Sequence, residues 1–544
     1  MTSYQSLQNS FRWQIPEYYN IGVDVCDRWA LTEPDRLALS YIDDRGVASQ
    51  HSYGALHEQS NRLANFLVGQ GLARGARVGI LLRQCPETAV AHIAVYKAGC
   101  VAVPLFMLFG GDALVHRLQD SGSRIVITDG EGAGKLAAIR HELPDLQVVV
   151  SIDAGQVAGD ELAWRDCLAT SSSEFTPVQT RADDPALIIY TSGTTGLPKG
   201  AVHAHRTLLG HLPGVEISHD LLPQAGDKIW TPADWAWIGG LLDVLLPALH
   251  HGVPVVARRF SKFTGEAAFD LLQDHGIRNA FIPPTALKMM RALPNAASRW
   301  RLNLRSVASG GEPLGVELIK WGRETLGVTI NEFYGQTECN MIVSSAASIM
   351  SPPPELLGRV MGRPVPGHEL AIVDAAGTPV ADGVEGAIAV RRPDPVMFLE
   401  YWNNPAATAA KFHGDWLITG DVAVVEAGGW IRFVGRDDDV ITSSGYRIGP
   451  GEIEDCLLRH RAVRMAAVVG KPDPVRTEIV KAYVVLNDPD DASPSLAADL
   501  RAHVKALLSA HEYPREIGFV DELPMTATGK IIRRILRQRA RDEV

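Results

Sequence analysis

The fold of this chain is decided by one glycine- and hydroxyl-rich stretch, Tyr190-Thr191-Ser192-Gly193-Thr194-Thr195-Gly196-Leu197-Pro198-Lys199-Gly200. It continues an apolar run, residues 186–190, that has the length and composition of a buried strand. Glycines let backbone N–H groups turn toward a bound anion, and the hydroxyls and Lys199 add further donors. The stretch therefore predicts a phosphate-binding loop, against the alternative of a flexible surface linker.

Two related patterns help to define this loop. The stretch is not a P-loop, because the pattern G-x-x-x-x-G-K-[ST] does not fit it. A second glycine-rich segment, residues 130–136 (Gly-Glu-Gly-Ala-Gly-Lys-Leu), fails the same pattern. Its first glycine is misplaced, and Leu136 cannot ligate magnesium. We interpret residues 130–136 as a surface loop.

The composition limits which classes of protein this chain can belong to. A chain of 544 residues is too long for one ordinary core, so two or more domains are expected. Hydrophobic content of 46% and charged content of 21% are globular values. A net charge of −11 without a basic block argues against a nucleic-acid partner. The six scattered cysteines, without a C-x-x-C, predict reduced thiols and a cytoplasmic location. No signal peptide is apparent, and no apolar run reaches the roughly 20 residues of a membrane span.

The first part of the chain alternates strand and helix patterns. The predicted strands are 78–82, 101–105, 124–128, 253–257, 279–282 and 306–309. Helices are predicted at 86–97 and 111–120. Short apolar strands between helices predict an α/β fold with parallel sheets covered on both faces. Because ligands in such sheets gather beyond the carboxyl ends of strands, we expect residues 191–199 and 309–312 to reach one crevice.

The pattern changes after residue 358. Short strands at 369–374, 386–391 and 430–434, separated by Gly and Pro turns, predict a small β subdomain. The acidic run 437–439 is a polar break, so we place a large N-terminal domain at 1–436 and a small, mobile α+β C-terminal domain at 437–544. The second domain is predicted to contain helices 450–459 and 496–510 and strands near 466–469 and 481–486.

Further motifs follow in order along the chain. They are Ser309-Gly310-Gly311-Glu312-Pro313-Leu314, Phe333-Tyr334-Gly335-Gln336-Thr337-Glu338, Trp416-Leu417-Ile418-Thr419-Gly420-Asp421, Gly435-Arg436-Asp437-Asp438-Asp439-Val440-Ile441, Ser444-Gly445-Tyr446-Arg447-Ile448 and Thr528-Gly529-Lys530-Ile531. Together with residues 190–200, this series resembles the adenylate-forming superfamily of acyl-CoA synthetases, peptide-synthetase adenylation domains and luciferases. The segments 15–20 and 23–29 further resemble medium-chain acyl-CoA synthetases.

The resemblance implies an AMP-forming acyl-CoA ligase that uses ATP, Mg²⁺ and coenzyme A. In the first step the carboxylate attacks the α-phosphorus of ATP, pyrophosphate leaves, and an acyl-adenylate remains. In the second step the thiol of coenzyme A attacks the acyl carbonyl and AMP leaves. Because an anion must approach polyanionic ATP, the protein has to supply positive charge and fixed donors.

The resemblance also assigns the nucleotide contacts. The β- and γ-phosphates would be held by residues of the first loop: Thr191, Ser192, Gly193, Thr194, Thr195 and Lys199. The adenine side would be formed by Gly310, Gly311, Glu312 and Pro313. Tyr334 would stack on the base, and Asp421, assisted by Arg436, would accept both ribose hydroxyls. Thr337 would contact the α-phosphate, and Glu338 would bind Mg²⁺, a hard ion suited to oxygen ligands.

Lys530 has the central role in the first step. By resemblance, it bridges the substrate carboxylate and ATP and offsets charge on both; the alternative is a solvated lysine in a basic tail. Arg447 would contact phosphates in the same step. Asp438 matches the hinge position of the family, although the acidic run could also be a solvated linker. Rotation there would withdraw Lys530 and bring Ser444 and Gly445 beside the pantetheine path.

The acyl pocket is the part of the site where this chain departs from acetate-specific relatives. They have a tryptophan at the position of Gly335, where it closes the pocket floor. Loss of the indole leaves room for several carbons, and each buried CH₂ adds roughly 0.8 kcal/mol. The sequence therefore predicts a carboxylic acid that is larger than acetate and of medium chain length, with branched or aromatic acids as alternatives. Trp237 matches an aromatic gate, Gln336 would border the carboxylate end, and Ile238 and Gly239 are candidate walls.

Two other functions stay open at this point. One is an adenylating enzyme that loads a carrier-protein thiol, although no carrier segment is fused to the sequence. The other is a catalytically silent nucleotide sensor, which should lack Lys530, Glu338 or Asp421. A local departure from the family is Thr477, where many relatives have glycine. The histidines at 203, 205, 250 and 251 lack a third metal ligand at suitable spacing, so we interpret them as structural or surface residues.

Overall fold

The computed structural model describes residues 3–153, 161–191, 197–260, 262–437, 439–443, 446–474, 476–508, 513–525 and 530–543, without the side chains of Tyr446 and Arg447. The fold is the predicted α/β arrangement, with two large, mostly parallel sheets and a small sheet in the N-terminal part and one sheet in the C-terminal part. All six cysteines are buried, and none forms a disulfide. Across the described ranges, no helix has the length and apolar character needed to cross a membrane.

The first large sheet has nine strands. Their spatial order is Arg363–Pro364, Cys339–Ser344, Ile330–Gln336, Ser306–Gly310, Asn279–Phe281, Ile229–Trp230, Val255–Arg258, Leu37–Ile42 and Ala48–Ser52. The central pairs are parallel, whereas the strands at both edges are antiparallel. Parallel strands buried on both faces explain why these segments read as continuous apolar runs in the sequence.

The second large sheet has eight strands. Their spatial order is Glu400–Tyr401, Gly200–Ala204, Pro185–Tyr190, Val101–Pro104, Arg77–Leu81, Ile125–Thr128, Val148–Ser151 and Glu161–Ala163. The segments 191–199 and 309–312 therefore extend from strands of different sheets. One buried cluster contains residues of both sheets together with helix Pro86–Lys97, for example Leu187, Val255 and Ile93.

The helices follow the capping signals of the sequence. Helix Pro86–Lys97 begins with proline at a position where no N–H is needed, and it has the predicted bounds. The other helices and helical turns before residue 252 are Tyr4–Ser10, Val23–Asp27, Arg28–Thr32, Tyr53–Gly69, Gly111–Ser121, Gly130–Ile139, Arg140–Glu142, Trp164–Ala169, Thr207–Ser218, Ile238–Gly240, Leu241–Leu245 and Leu246–His251. Those that follow are Gly265–Asp274, Pro284–Arg291, Ala296–Arg299, Val316–Trp321, Gly322–Leu326, Pro354–Leu356, Pro405–Ala410, Pro450–Leu458, Pro489–Asp491, Pro494–Leu507 and Arg533–Asp542.

The interpretation of residues 130–136 as a surface loop is wrong. They form the first turns of helix Gly130–Ile139. Asp129 caps this helix, since its Oδ1 accepts a hydrogen bond from Gly132 N at 2.9 Å. Leu136 and Ile139 are buried against the eight-stranded sheet, so packing outweighs the low helix propensity of the glycines.

A small antiparallel sheet follows the two large ones. It consists of Leu370–Val373, Gly386–Arg391, Trp416–Glu426, Phe412–His413 and Trp430–Arg436. After residues 437–439 a separate sheet is formed by Tyr446–Ile448, Ile441–Ser443, Thr477–Leu486, Val463–Asp473 and Glu516–Phe519. Most apolar side chains of this last sheet pack with helices Pro450–Leu458 and Pro494–Leu507 into a cluster of their own. The last strand of the small sheet ends at Arg436 and the next sheet begins at Ile441, and the domain boundary after residue 436 stays a prediction.

Candidate active site

The base of the 191–199 loop is a β-hairpin. Strands Pro185–Tyr190 and Gly200–Ala204 pair antiparallel. Thr191 N donates to Lys199 O at 2.9 Å, and Lys199 N donates to Thr191 Oγ1 at 3.3 Å. The loop therefore joins two strands and does not lead from a strand into a helix, as a P-loop does. Ser192, Gly193, Thr194 and Thr195 lie outside the described residues.

Lys199 and Glu338 both contact Tyr401. The Lys199 ammonium lies 4.5 Å from the centre of the Tyr401 ring, and the Tyr401 hydroxyl donates to the Glu338 carboxylate. Glu338, which is buried, and Thr337 form the turn between strands Ile330–Gln336 and Cys339–Ser344. Burial, and next the charge of Glu338, raise the pKa of Tyr401, so its hydroxyl keeps the proton that it donates.

Asp421 is the acceptor at the centre of a second polar group. Its Oδ2 accepts from the Tyr334 hydroxyl at 2.6 Å and from Gln336 Nε2 at 2.5 Å. Arg436 Nε lies 3.8 Å from its Oδ1, because the two residues are opposite each other on paired strands. Burial raises the pKa of Asp421 although these three neighbours favour the carboxylate. Oδ2 of this carboxylate is therefore already used as the acceptor of two hydrogen bonds.

The segment after strand Ser306–Gly310 turns sharply at Gly311. This glycine has φ 91°, a conformation that disfavours any residue with a β-carbon. The next residue, Glu312, accepts from Thr285 Oγ1 at 3.1 and 3.0 Å. The turn therefore directs the backbone and a carboxylate toward the same edge of the nine-stranded sheet.

Lys530 reaches this edge from the C-terminal part of the chain. Its Nζ lies 3.7 Å from the position that a β-carbon on Gly311 would occupy. Lys530 is exposed as a residue, yet its ammonium group is desolvated by the surrounding protein. Desolvation, the largest effect, lowers the pKa of Lys530, while Glu312 and Asp421 favour the charged form and Arg436 opposes it. Lys530 is therefore close to both acidic groups of the site.

Helix Pro450–Leu458 holds the C-terminal part against the N-terminal part. Pro313 Cγ lies 3.8 Å from the position of a β-carbon on Gly451. Asp455 Oδ2 lies 3.1 Å from the corresponding position on Gly315. The residues after Gly311 thus form one surface of the contact that places Lys530.

The predicted acyl pocket lies around residues 237–239 and 335–341. Trp237 contacts two aromatic rings, with ring centres 5.5 Å from Phe106 and 5.9 Å from Phe109. Ile238 and Gly239 form the helical turn Ile238–Gly240 that follows it. Gln336 is predicted to border the carboxylate end of the bound acid. In the structure its side-chain amide donates a hydrogen bond to Asp421.

Gly335 is a place of close backbone approach. A β-carbon there would lie 2.5 Å from Asn340 Cα, 2.5 Å from Asn340 Oδ1 and 2.5 Å from Met341 N. The register between the two strands also shifts between Tyr334 and Gln336. The space beside Gly335 is therefore occupied by the Asn340 side chain, which is smaller than an indole.

Four further expected positions lie outside the described residues, namely Asp438, Ser444, Gly445 and the side chain of Arg447. Thr477 is described, and it adopts φ 71°. This conformation is rare for a β-branched residue, which accounts for the glycine in many relatives.

The histidines expected to be structural are buried or paired. His203 and His205 are fully buried, and burial lowers the pKa of each to about 3. His250 Nδ1 lies 2.5 Å from Asp24 Oδ2, and His251 Nε2 lies 3.3 Å from Glu216. None of the four belongs to a group of three potential metal ligands within the described residues.

Sequence reasoning missed several residues of the site. Tyr401, Thr285, Asp243 and Asn340 carry no motif, and each acts through a partner distant in sequence. Asn340 Nδ2, for example, donates to Asp243 Oδ1 at 2.7 Å. The only available signal was an acidic residue, Asp243, within the apolar run 238–249.

Two protein-family models match the chain. The model for AMP-binding enzymes matches residues 26–402, and the model for the AMP-binding enzyme C-terminal domain matches residues 452–530. The chain belongs to the AMP-binding enzyme family. Lys530 is the last residue of the second match, in the part that supplies it to the site.

Individual relatives narrow the class. The chain is 34% identical to the mitochondrial acyl-coenzyme A synthetase ACSM4 of Rattus norvegicus over 96% of this chain and 91% of the relative. It is 33% identical to the acetyl-coenzyme A synthetase of Bacillus subtilis (strain 168), over 95% and 90%. The crystal structure of the anthranilate CoA ligase AuaEII in complex with anthranoyl-AMP superposes with a TM-score of 0.87 at 29% identity, covering 97% of this chain and 98% of that one. These matches identify the enzyme as an AMP-forming acid–CoA ligase of the acyl-CoA synthetase group.

Proposed function

We propose that this enzyme activates a carboxylic acid larger than acetate, with Lys530 as the residue that enables adenylation. The observation that carries the proposal is the position of the Lys530 ammonium beside Gly311, close to Glu312 and Asp421. A lysine of a solvated tail would not be desolvated among acidic groups at the edge of a sheet. This arrangement corresponds to the first half-reaction.

In that half-reaction a carboxylate oxygen of the acid attacks the α-phosphorus, and the bond to the bridging oxygen of pyrophosphate breaks. Lys530 would stabilise the approach of two anions and the charge that develops between them. Thr337 would donate to the α-phosphate, and the loop that begins at Thr191 would hold the pyrophosphate portion together with Lys199. Arg447 would add a further positive charge to the phosphates.

Asp421 would hold the ribose. It is fixed by Tyr334, Gln336 and Arg436 on one side of the site. A buried carboxylate at the end of paired strands is a rigid acceptor for two neighbouring hydroxyls, and binding would exchange some of the present donors for those of the sugar. The Gly310–Pro313 segment would then cover the adenine, with Tyr334 against the base.

Glu338 would hold Mg²⁺. Its carboxylate is an oxygen ligand of the kind that this ion prefers, and Tyr401 fixes its orientation. One protein carboxylate suits Mg²⁺ because the ion commonly takes its remaining ligands from phosphates and water. When bound, the ion would neutralise phosphate charge. Lys199, whose ammonium lies over the Tyr401 ring, would act on the same phosphates.

The second half-reaction requires that Lys530 has left the site. The thiol sulfur of coenzyme A, after loss of its proton, attacks the acyl carbonyl, and the bond to the phosphate oxygen of AMP breaks. We propose that rotation at Asp438 withdraws Lys530 and brings Ser444 and Gly445 to the pantetheine path. Trp237, which packs against two phenylalanine rings, is the residue that would move between the two states.

The size of the acid follows from the pocket beside Gly335. Asn340 Oδ1 lies 2.5 Å from the position of a β-carbon on Gly335, so a side chain smaller than the indole of acetate-specific relatives borders this position. Filling the difference in volume between the two side chains with carbon would add roughly 0.8 kcal/mol for each CH₂. We therefore propose a medium-chain or aromatic acid as the substrate.

The six buried thiols support a reducing compartment such as the cytosol.

A panel of acids tests this function. Pyrophosphate release and acyl-CoA formation are measured with acetate, propionate, butyrate, hexanoate, octanoate and benzoate, with coenzyme A or a carrier protein as acceptor. We expect kcat/KM to rise from acetate toward longer or aromatic acids, with coenzyme A as the acceptor. Acetate or propionate as the best acid would contradict the proposed size, and exclusive transfer to the carrier protein would contradict the acceptor.

A further inference from the structure

A buried polar pair lies where the proposed acyl pocket should be apolar. Asp243, in the turn Leu241–Leu245, is 2% exposed and has buried leucine and valine as chain neighbours. Asn340 Nδ2 donates to Asp243 Oδ1 at 2.7 Å. Among the residues that the structure describes, no cation is close enough to influence this carboxyl group. The pair is therefore not half of a buried ion pair.

The pair faces both glycines of the proposed pocket. Asp243 Oδ2 lies 3.5 Å from the position that a β-carbon on Gly239 would occupy. Asn340 Oδ1 lies 2.5 Å from the corresponding position on Gly335. Phe281 Cε1 lies 3.0 Å from the Gly239 position, so an aromatic ring borders the same space. The absence of side chains at 239 and 335 leaves the two polar groups next to the space that the acyl chain would fill.

A carboxyl group in such surroundings is costly unless it is used. Transfer of a polar group to an apolar site without a hydrogen bond costs about 1–3 kcal/mol in proteins. Asn340 donates to Oδ1 of Asp243, whereas Oδ2 has no protein hydrogen-bond partner within the described residues and is not sealed from the adjoining space. Burial raises the pKa of Asp243 well above its ordinary value, so the group keeps its proton and can both donate and accept.

We infer that Asp243, positioned by Asn340, selects acids that carry an uncharged hydroxyl group away from the reacting carboxylate. A hydroxyl can donate to or accept from Oδ2, and it brings no charge into a region without a counter-ion. A plain alkyl chain would leave Oδ2 unpaired, and a pocket that hydrogen-bonds a substrate hydroxyl discriminates against analogues that lack it. This inference rests on the proposed function, since it needs Gly239 and Gly335 to line the acyl pocket.

Matched pairs of acids test it. Butyrate, hexanoate, octanoate and benzoate are each compared with their hydroxylated counterparts by kcat/KM for acyl-CoA formation. We expect at least one hydroxylated acid to exceed its plain partner by about tenfold or more, because one hydrogen bond in a buried site is worth about 1–3 kcal/mol. In Asp243→Leu, which is similar in size, this ratio should fall below one.

Further variants separate selectivity from folding. The double variant Asp243→Leu, Asn340→Leu removes both polar partners and leaves neither unpaired, so it should also lose the hydroxyl preference, which is read as a ratio within each pair of acids. Asp243→Asn keeps the volume and should reduce the ratio about threefold or more, since it keeps part of the hydrogen bonding. Glu332→Gln is the matched control: it removes another buried carboxyl, whose Oε1 accepts from Leu314 N, and should leave the ratio unchanged.

The outcomes distinguish this inference from the proposed function. Turnover of plain acids with no hydroxyl preference in any pair, or an unchanged ratio in every Asp243 variant, overturns the inference alone. An ω-amino acid that exceeds its hydroxy counterpart overturns the assignment of an uncharged group. Failure of every acid to form a CoA thioester overturns the proposed function, and this inference falls with it.

Discussion

Replacement of Gly335 by alanine measures whether this glycine provides room or permits close packing. A β-carbon at this position would lie 2.5 Å from two backbone atoms, Asn340 Cα and Met341 N. Ordinary contacts of a β-carbon begin at about 3.4 Å, so the paired strands must separate by about 0.9 Å. Overpacking of this kind costs about 1–3 kcal/mol. We expect Gly335→Ala to be destabilised by that amount.

The matched control is Gly134→Ala. Gly134 lies within helix Gly130–Ile139, and a β-carbon there has no heavy atom within 4 Å beyond its own helix. The same chemical change should stabilise the protein by about 0.5–1 kcal/mol, because alanine is the better helix former. Urea midpoints at unchanged slope give both values. Equal stability changes in the two variants would show that Gly335 has open space beside it.

The same variant has a consequence for activity. Displacement of Asn340 would move the proposed pocket floor and the turn that carries Thr337 and Glu338. We therefore expect kcat/KM of Gly335→Ala to fall for every acid, not for long acids alone. A selective loss for long acids with unchanged stability would instead support the view that Gly335 only provides volume.

Three further predictions concern single side chains. Burial raises the pKa of Glu332 to about 8 from its ordinary 4.5. Between these pH values the folded state holds a proton that the unfolded state has released, so stability falls by about 1.4 kcal/mol for each pH unit as pH rises. Glu332→Gln should therefore gain more stability relative to the parent at pH 8 than at pH 5; equal urea-midpoint differences at the two pH values would contradict this. Tyr401→Phe removes the donor to Glu338 and should lower kcat/KM for ATP–pyrophosphate exchange about tenfold or more, with thioester formation from acyl-AMP little changed; equal loss in both steps argues against a role in adenylation. Thr477→Gly should raise stability by about 1 kcal/mol by relief of φ 71°, and a loss of stability on thermal unfolding would refute the strain.

The sequence was a good guide wherever pattern and packing agree. Helix Pro86–Lys97 has proline at its start and apolar residues throughout, and its bounds are as predicted. Strand Gly386–Arg391 is also as predicted. Residues 130–136 were interpreted as a loop because their three glycines favour a loop over a helix. The cap at Asp129 and the burial of Leu136 depend on a sheet that the segment itself does not reveal.

The motifs of the site could be predicted from the sequence, but the contacts between residues distant in sequence could not. Residue types at Lys530, Asp421 and Glu338 are local features of the sequence. The hydroxyl that orients Glu338 comes from Tyr401, 63 residues away, where no motif marks it. Likewise, Gly335 could be read as open volume because the sequence does not show which strand passes beside it. Such pairings are properties of the folded chain.

The most direct test of the account is the division of the two half-reactions in Lys530→Ala. Acid-dependent ATP–pyrophosphate exchange and acyl-CoA formation from synthetic acyl-adenylate are measured on the same preparation. Because Lys530 lies beside Gly311 among the groups proposed to bind ATP, exchange should fall by at least about a hundredfold. The thioester step should stay within a fewfold of the parent enzyme. Exchange at the parental rate, or equal loss of both steps, would contradict the role given to this lysine.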